Sequence, residues 1–277
     1  MNMDSMMDKT GLLGTPPERG KKIALFSPKS GCGKTTLAVN MACGLAQVAG
    51  SPVAIMDSNI SFGDVALFCN TYPKTTIIEA ARNLPQLSPS TLGAYLTASG
   101  PSLRILASPA KPEMTELVSS HHITSLMGLL GTVFPYVVVD TEPGFHELSL
   151  TACEGADIVY IVVAFNTSLG LEHVRRSLAA FRALGYSDKN CKLVISRVSR
   201  DIGRLEWLEN ELSYHVTALL PNDFRLVANA VNTGVPLLAT DPTSALGKGI
   251  KDVVRDSMSA LMTQEFSQAG TSLPTRW

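Results

Sequence analysis

The chain has 277 residues, 45% of them hydrophobic and 17% charged, with a formal net charge of −1. That supplies a sizeable core and leaves no global field drawing the protein to nucleic acid or an acidic membrane. Its five cysteines (Cys32, Cys43, Cys69, Cys153, Cys191) form no Cys-x-x-Cys pair; this argues against a metal or cluster site and fits reduced thiols in a cytosol.

Residues 1–20 mix charges with Gly and Pro-Pro and hold no long apolar stretch. They read as a disordered leader or linker, not a signal peptide. An ordered domain is expected over 21–266, followed by a flexible tail over 267–277. Within the domain, short apolar runs suit strands at 23–27, 53–57, 103–107, 136–140, 158–163, 192–196 and 215–219. Helical patterns fall between them at about 34–48, 62–69, 114–130, 146–154, 168–184, 204–212 and 223–231, and a last one covers about 244–265. Pro109-x-x-Pro112-Glu113 and Asn166-Thr167-Ser168 provide start signals for the helices at 114 and 168. No run reaches the roughly 20 apolar residues of a membrane span. The alternation predicts one α/β domain, a doubly wound, mostly parallel sheet flanked by helices. Ligands of such sheets sit beyond the carboxyl ends of the strands, which points to Ser27, Asp57, Asp140 and Ser196.

The stretch SPKSGCGKTT, 27–36, follows the first strand and opens the first helix. Gly33-Lys34-Thr35 ends it as a phosphate loop should end, but Pro28 stands where the usual pattern has its first Gly, and Lys29 is a second lysine beside it. Backbone N–H groups of such a loop surround a phosphate at a helix N-terminus. Lys34 is expected at the β- and γ-phosphates, the Thr35 hydroxyl on Mg²⁺ and Thr36 near the α-phosphate. Asp57 and Asp140 each end an apolar strand, the position from which an acid holds the Mg²⁺ shell in P-loop proteins. Gly144, in the TEPG that surrounds Glu142, lets backbone approach a γ-phosphate.

PKSGCGKTT resembles the deviant phosphate loop of the MinD/ParA family of dimerising ATPases. DSNISFGDVAL, VVVDTEPG and LPNDFRLVANAVNTGVPLL are similar to that family's later motifs, so the resemblance runs from about Lys21 to about Phe266. FGDVAL, LASPAKPEMTELV and FPYVVVDT look most like its CpaE/TadZ branch, which acts in locating and assembling pilus or secretion machinery. The resemblance implies a nucleotide-dependent homodimer with bound ATP and Mg²⁺. It also implies pilus or secretion proteins as partners and a cytoplasmic, polar or membrane-peripheral place. Lys29 would cross to the partner's phosphates, in the manner of an arginine finger supplied in trans. Ser30, Gly31, Cys32 and Gly33 would line the nucleotide, Arg197 would stack on the base, and the backbone around Pro221, Asn222 and Asp223 would contact it.

Three positions depart from the family pattern. Asn59 stands where the family has the Asp that positions or activates water, and an amide takes no proton, so slow hydrolysis is expected. Glu142 and Asp64 are alternative water-positioning carboxylates. Ser196 replaces the Asn that reads adenine, and Ser30 replaces a Gly beside the phosphates.

Other features have plainer readings. Cys32 reads as a variable loop residue rather than a redox switch, and His121-His122 as a turn or cap. Arg197, Arg200 and Arg204 form at most a short basic strip, so DNA is an unexpected partner. Ile250, Val253, Val254, Met258, Leu261 and Met262 share one helix face. Core packing is the favoured reading of it, against an amphipathic membrane helix. The function expected is an ATP-gated homodimeric localisation or assembly factor. The alternatives are an actively cycling MinD/ParA-type ATPase for cell-division-site or cargo positioning, and a P-loop small-molecule kinase or synthetase. An iron–sulfur carrier is disfavoured by the cysteine spacing.

Overall fold

The computed structural model describes residues 19–165, 168–198 and 205–269. Most of the expected leader, Asn166, Thr167, Arg200, Arg204 and the last eight residues of the expected tail lie outside the described residues. Eight strands form one sheet: β1 (Lys21–Phe26), β2 (Val53–Ser58), β3 (Thr97–Ser99), β4 (Leu103–Leu106), β5 (Tyr136–Thr141), β6 (Ile158–Ala164), β7 (Cys191–Val198) and β8 (Val216–Pro221), in the order β3-β4-β2-β5-β1-β6-β7-β8. Every pairing is parallel except β3 with β4. The doubly wound, mostly parallel fold expected from the alternation is the one observed.

Strand residues alternate between two cores. Ile23 and Leu25 of β1 face one helix layer, made of α1 (Lys34–Ala49), α2 (Val65–Phe68), α8 (Phe224–Thr233), α9 (Leu237–Thr240) and α10 (Ala245–Ala269). Ala24 and Phe26 face the other, made of α3 (Ile77–Arg82), α4 (Ser120–Val133), α5 (Glu147–Glu154), α6 (Ser168–Ala183) and α7 (Leu205–Leu212). Burial on both faces explains why the strands read as continuous apolar runs.

α10 packs as expected. Ile250, Val253, Val254 and Leu261 are buried and Met258 is half-buried, whereas Met262 is exposed. The Tyr160 hydroxyl of β6 donates to Asp256 Oδ2 at 2.6 Å, which pins this helix to the sheet. The helix continues to Ala269, beyond the boundary expected at 266. Among the described residues, no helix is long and apolar enough to cross a membrane.

The main departures lie between β2 and α4. The expected 62–69 helix is only Val65–Phe68, and α3 and β3 were not foreseen. β3 is a three-residue antiparallel edge strand, too short to show a period. α3 is held by a local device, a Thr76–Glu79 capping box. The expected 114–130 helix begins at Ser120, because Pro112–Leu117 forms a 3₁₀ turn and Ser119 then caps α4. His122 Nδ1 accepts the Ser119 N–H at 3.1 Å, so one of the paired histidines is a cap.

Candidate functional site

Central β1 lies between β5 and β6, and its carboxyl end delivers the phosphate loop to the middle of the sheet edge. Gly31 and Gly33 have φ of 75° and 77°, the left-handed region that favours glycine, and open space lies where a Cβ would stand at either. Cys32 between them is buried, and its Sγ donates to the Lys29 carbonyl at 3.2 Å. That thiol closes the loop on itself, in keeping with a structural role. Ser30 and Lys29 are exposed, and Lys29 has no ion pair among the described residues.

α1 starts at Lys34 and aims its first turn at β5. Lys34 is buried; its Nζ lies 2.6 Å from Asp140 Oδ1 and also donates to the Thr141 carbonyl. The Thr35 hydroxyl donates to Asp140 Oδ2 at 2.6 Å. One carboxylate thus receives both residues on which the phosphate and metal readings rest. The three groups bring a cation, a hydroxyl and hard carboxylate oxygens together at the mouth of an open N–H-lined loop. This donor set fits a nucleoside phosphate with Mg²⁺.

Asp57 is placed differently. It is the register neighbour of Asp140 and wholly buried. Its Oδ1 accepts from Asn59 N at 3.2 Å, and its Oδ2 accepts from Val65 N and from the Ser108 hydroxyl, each at 3.1 Å. Burial, and then the charge of Asp140, push its carboxyl up to about 7. These bonds turn Asp57 toward the 59–65 loop, and its side chain is not among those lining the cleft.

The cleft beyond the loop has a volume of about 720 Å³, and Asn59, Asp64, Glu142 and Arg197 line it along with the phosphate loop. Asn59 is engaged locally: its Nδ2 donates to the Phe62 carbonyl at 2.8 Å, and its Oδ1 accepts from Phe62 N at 3.4 Å. A second cavity of about 310 Å³ adjoins Gly33 and Thr36 and is lined by Arg197, Pro221, Asn222 and Asp223. The sequence-derived base-contact residues therefore do converge. Asp223 also caps α8, accepting from Leu226 N at 3.0 Å.

A family model for ParA, described as "NUBPL iron-transfer P-loop NTPase", matches residues 19–188. The chain belongs to this P-loop NTPase family. It is 23% identical over 245 residues to the septum site-determining protein MinD of Thermotoga maritima, covering 85% of this chain and 87% of that protein. Among solved structures it resembles a ParA family ATPase from Chlorobium tepidum, with a TM-score of 0.77, 19% identity, and coverage of 85% of this chain and 98% of that one. It also resembles MinD from Pyrococcus horikoshii, solved with Mg-ADP, with a TM-score of 0.72, 15% identity, and coverage of 86% and 96%. At these identities the structural likenesses establish the fold.

Ser196, Ser108, Gly63 and Asn40 take roles in this site that the sequence did not assign to them. The Ser196 hydroxyl, expected near the base, donates instead to the Cys32 carbonyl at 2.6 Å and braces the phosphate loop from β7. Arg197 beside it, which lines both the large cleft and the cavity at Pro221–Asp223, has φ of 53° where the register between β7 and β8 shifts. Ser108, at the end of β4, bridges Asp57 Oδ2 and the Gly63 carbonyl, each at 3.1 Å. A Cβ on Gly63 would lie 2.2 Å from Ser108 Oγ and 2.3 Å from Asp57 Oδ2. Buried Asn40 links the site to the helix layer: its Nδ2 donates to the Thr36 carbonyl at 2.8 Å, and its Oδ1 accepts from Leu238 N at 3.0 Å. The only sequence cue to these was the place of Ser196 and Ser108 near strand ends.

Proposed function

We propose that this protein binds ATP with Mg²⁺ and closes into a homodimer that acts as a localisation or assembly factor, with weak ATP hydrolysis. The observation that carries the reading is the convergence of Lys34 and Thr35 on Asp140 beside an open glycine loop, while Lys29 stands exposed at the loop's outer edge. Lys34 and the loop from Ser30 to Thr36 would hold the phosphates, and Thr35 and Asp140 would supply the metal's protein oxygens. Asp57 would support the shell indirectly, by holding the Asn59 loop. Lys29 would act on the nucleotide of a second copy. Arg197, Pro221, Asn222 and Asp223 would receive the base. Mg²⁺, when bound, neutralises charge on the phosphate oxygens.

Weak turnover follows from Asn59, whose amide cannot act as a base. The CpaE/TadZ-like segments support service to pilus or secretion machinery, in the cytoplasm or peripherally at a membrane face or pole. The likeness to MinD favours a second reading, an actively cycling ATPase that positions cell-division sites or cargo. A turnover assay separates the two. Iron transfer, named in the description of the family model, has less support here: all five thiols are buried within the helix and sheet cores.

Light scattering behind size exclusion, without nucleotide and with Mg-ADP or Mg-ATP, tests the main reading. The mass is expected to double only with ATP, and Lys29→Ala is expected to stay monomeric. An unchanged mass in ATP overturns the nucleotide-gated model.

A further inference from the structure

Beside the phosphate loop lies another cavity of about 270 Å³, which shares Ser30, Gly31, Cys32 and Arg197 with the lining of the large cleft and adds Lys29 and His173. Three cationic or protonatable side chains from three elements border it: Lys29 from the loop, His173 from α6 and Arg197 near the end of β7. Ser30 adds a hydroxyl. Among the described residues no Asp or Glu lines it, and neither Lys29, His173 nor Arg197 has an ion-pair partner. Glu172, one residue before His173, is turned away and paired with Arg176 at 2.7 Å.

Positive groups gathered around a concavity without a counter-charge repel one another, and an anion seated among them is held by charge-assisted hydrogen bonds. The volume suits a tetrahedral oxyanion with several waters, at about 30 Å³ each. Donors carried by three separate elements suit a group with oxygens on all sides better than a flat carboxylate. We propose that Lys29, His173 and Arg197 form a second oxyanion site that takes inorganic phosphate, adjoining the phosphate cradle at the outer side of the loop. The site goes beyond the function proposed above and stands without it. Where that function also holds, phosphate seated here engages Lys29 within its own subunit and so opposes ATP-driven association.

The test follows the imidazole signals of the five histidines by NMR in the full chain as inorganic phosphate is added. His173→Gln assigns the His173 signal, and sodium chloride and sodium acetate at matched ionic strength serve as controls. Phosphate is expected to shift His173 saturably and to leave His121, His122, His146 and His215 in place. Lys29→Gln and Arg197→Gln, each with an amide spectrum that verifies its fold, are each expected to weaken saturation about tenfold. With Mg-ADP saturating the cradle the response is expected to weaken, because Arg197 and Ser30 then also serve the nucleotide, but to persist through Lys29 and His173. Equal shifts with chloride or acetate, loss of the response with Mg-ADP, or indifference to both substitutions overturns the site.

A second arm measures mass in Mg-ATP with and without phosphate. Dissociation by phosphate in the wild type, with association in His173→Gln left unaffected by phosphate, supports the antagonism. An ATP-dependent mass that phosphate does not change refutes the antagonism. No ATP-driven association alongside a normal His173 titration refutes the proposed dimer and leaves the phosphate site standing.

Discussion

Gly63→Ala tests whether the 59–65 loop is tied to Asp57 as tightly as the structure indicates. The added Cβ would stand 2.2 Å from Ser108 Oγ, 2.3 Å from Asp57 Oδ2 and 2.5 Å from Asp57 Cγ. None of these atoms can yield without loss. Asp57 is wholly buried and accepts three hydrogen bonds, and Ser108 bridges Asp57 to the Gly63 carbonyl itself. Overpacking of this kind costs about 1–3 kcal/mol, and a broken bond to a buried acid a further 1–3 kcal/mol. We expect a loss of about 2–6 kcal/mol in urea unfolding, or roughly 4–24 °C in melting temperature for a domain of this size. Gly93→Ala is the control, because nothing lies within 4 Å of its added Cβ; it should stay within about 0.5 kcal/mol of wild type. The displaced loop carries Asn59, so nucleotide turnover should change as well. A Gly63→Ala protein as stable as the control would refute the close approach.

The remaining expectations concern the acids and the loop brace. Asn59→Asp restores a carboxylate at the cleft and should raise ATP turnover by about 10²–10⁴, read by phosphate release; brisk turnover already present in wild type would sink the weak-hydrolysis reading. Burial, and then the charge of Asp140, push the Asp57 carboxyl up from the ordinary aspartate range to about 7, so between those values the folded state keeps a proton that the unfolded chain has lost. Its stabilising contribution is therefore full below the unfolded value and is lost as pH rises through the folded one. Urea unfolding of the nucleotide-free protein at pH 4.5 and pH 8 should show wild type losing stability relative to Asp57→Asn, on the order of a few kcal/mol; parallel curves would contradict it. Ser196→Ala leaves the Cys32 carbonyl without its buried donor and should cost about 1–3 kcal/mol. Its ATP affinity should fall too, measured by calorimetry, whereas Ser196→Thr should retain part of it.

Much of the fold could be read along the chain because a parallel sheet covered on both faces leaves a strong local record. The run at 136–140 is apolar since Val137, Val138 and Val139 are buried against opposite helix layers. The phosphate loop, its lysines and the strand-end acids were equally visible, since their spacing is fixed by one strand, one turn and one helix. The 70–100 region was not. Its pieces are a six-residue helix, 3₁₀ turns and a three-residue edge strand, none long enough to establish a period.

By itself, the sequence determined the alternating architecture, the glycine loop at the start of α1 and the candidates Lys34, Thr35 and Asp140. Only the tertiary structure decided which groups share atoms. It separated two strand-end aspartates that look alike in sequence: Asp140 meets Lys34 and Thr35, whereas Asp57 is turned to the 59–65 loop. It gave the Ser196 hydroxyl to the Cys32 carbonyl, 164 residues away along the chain, and put His173 and Lys29 on the wall of one cavity. Such contacts depend on strand order and on the angle at which helices leave the sheet. Strand order is set by packing between segments far apart in the chain, and no local pattern records it.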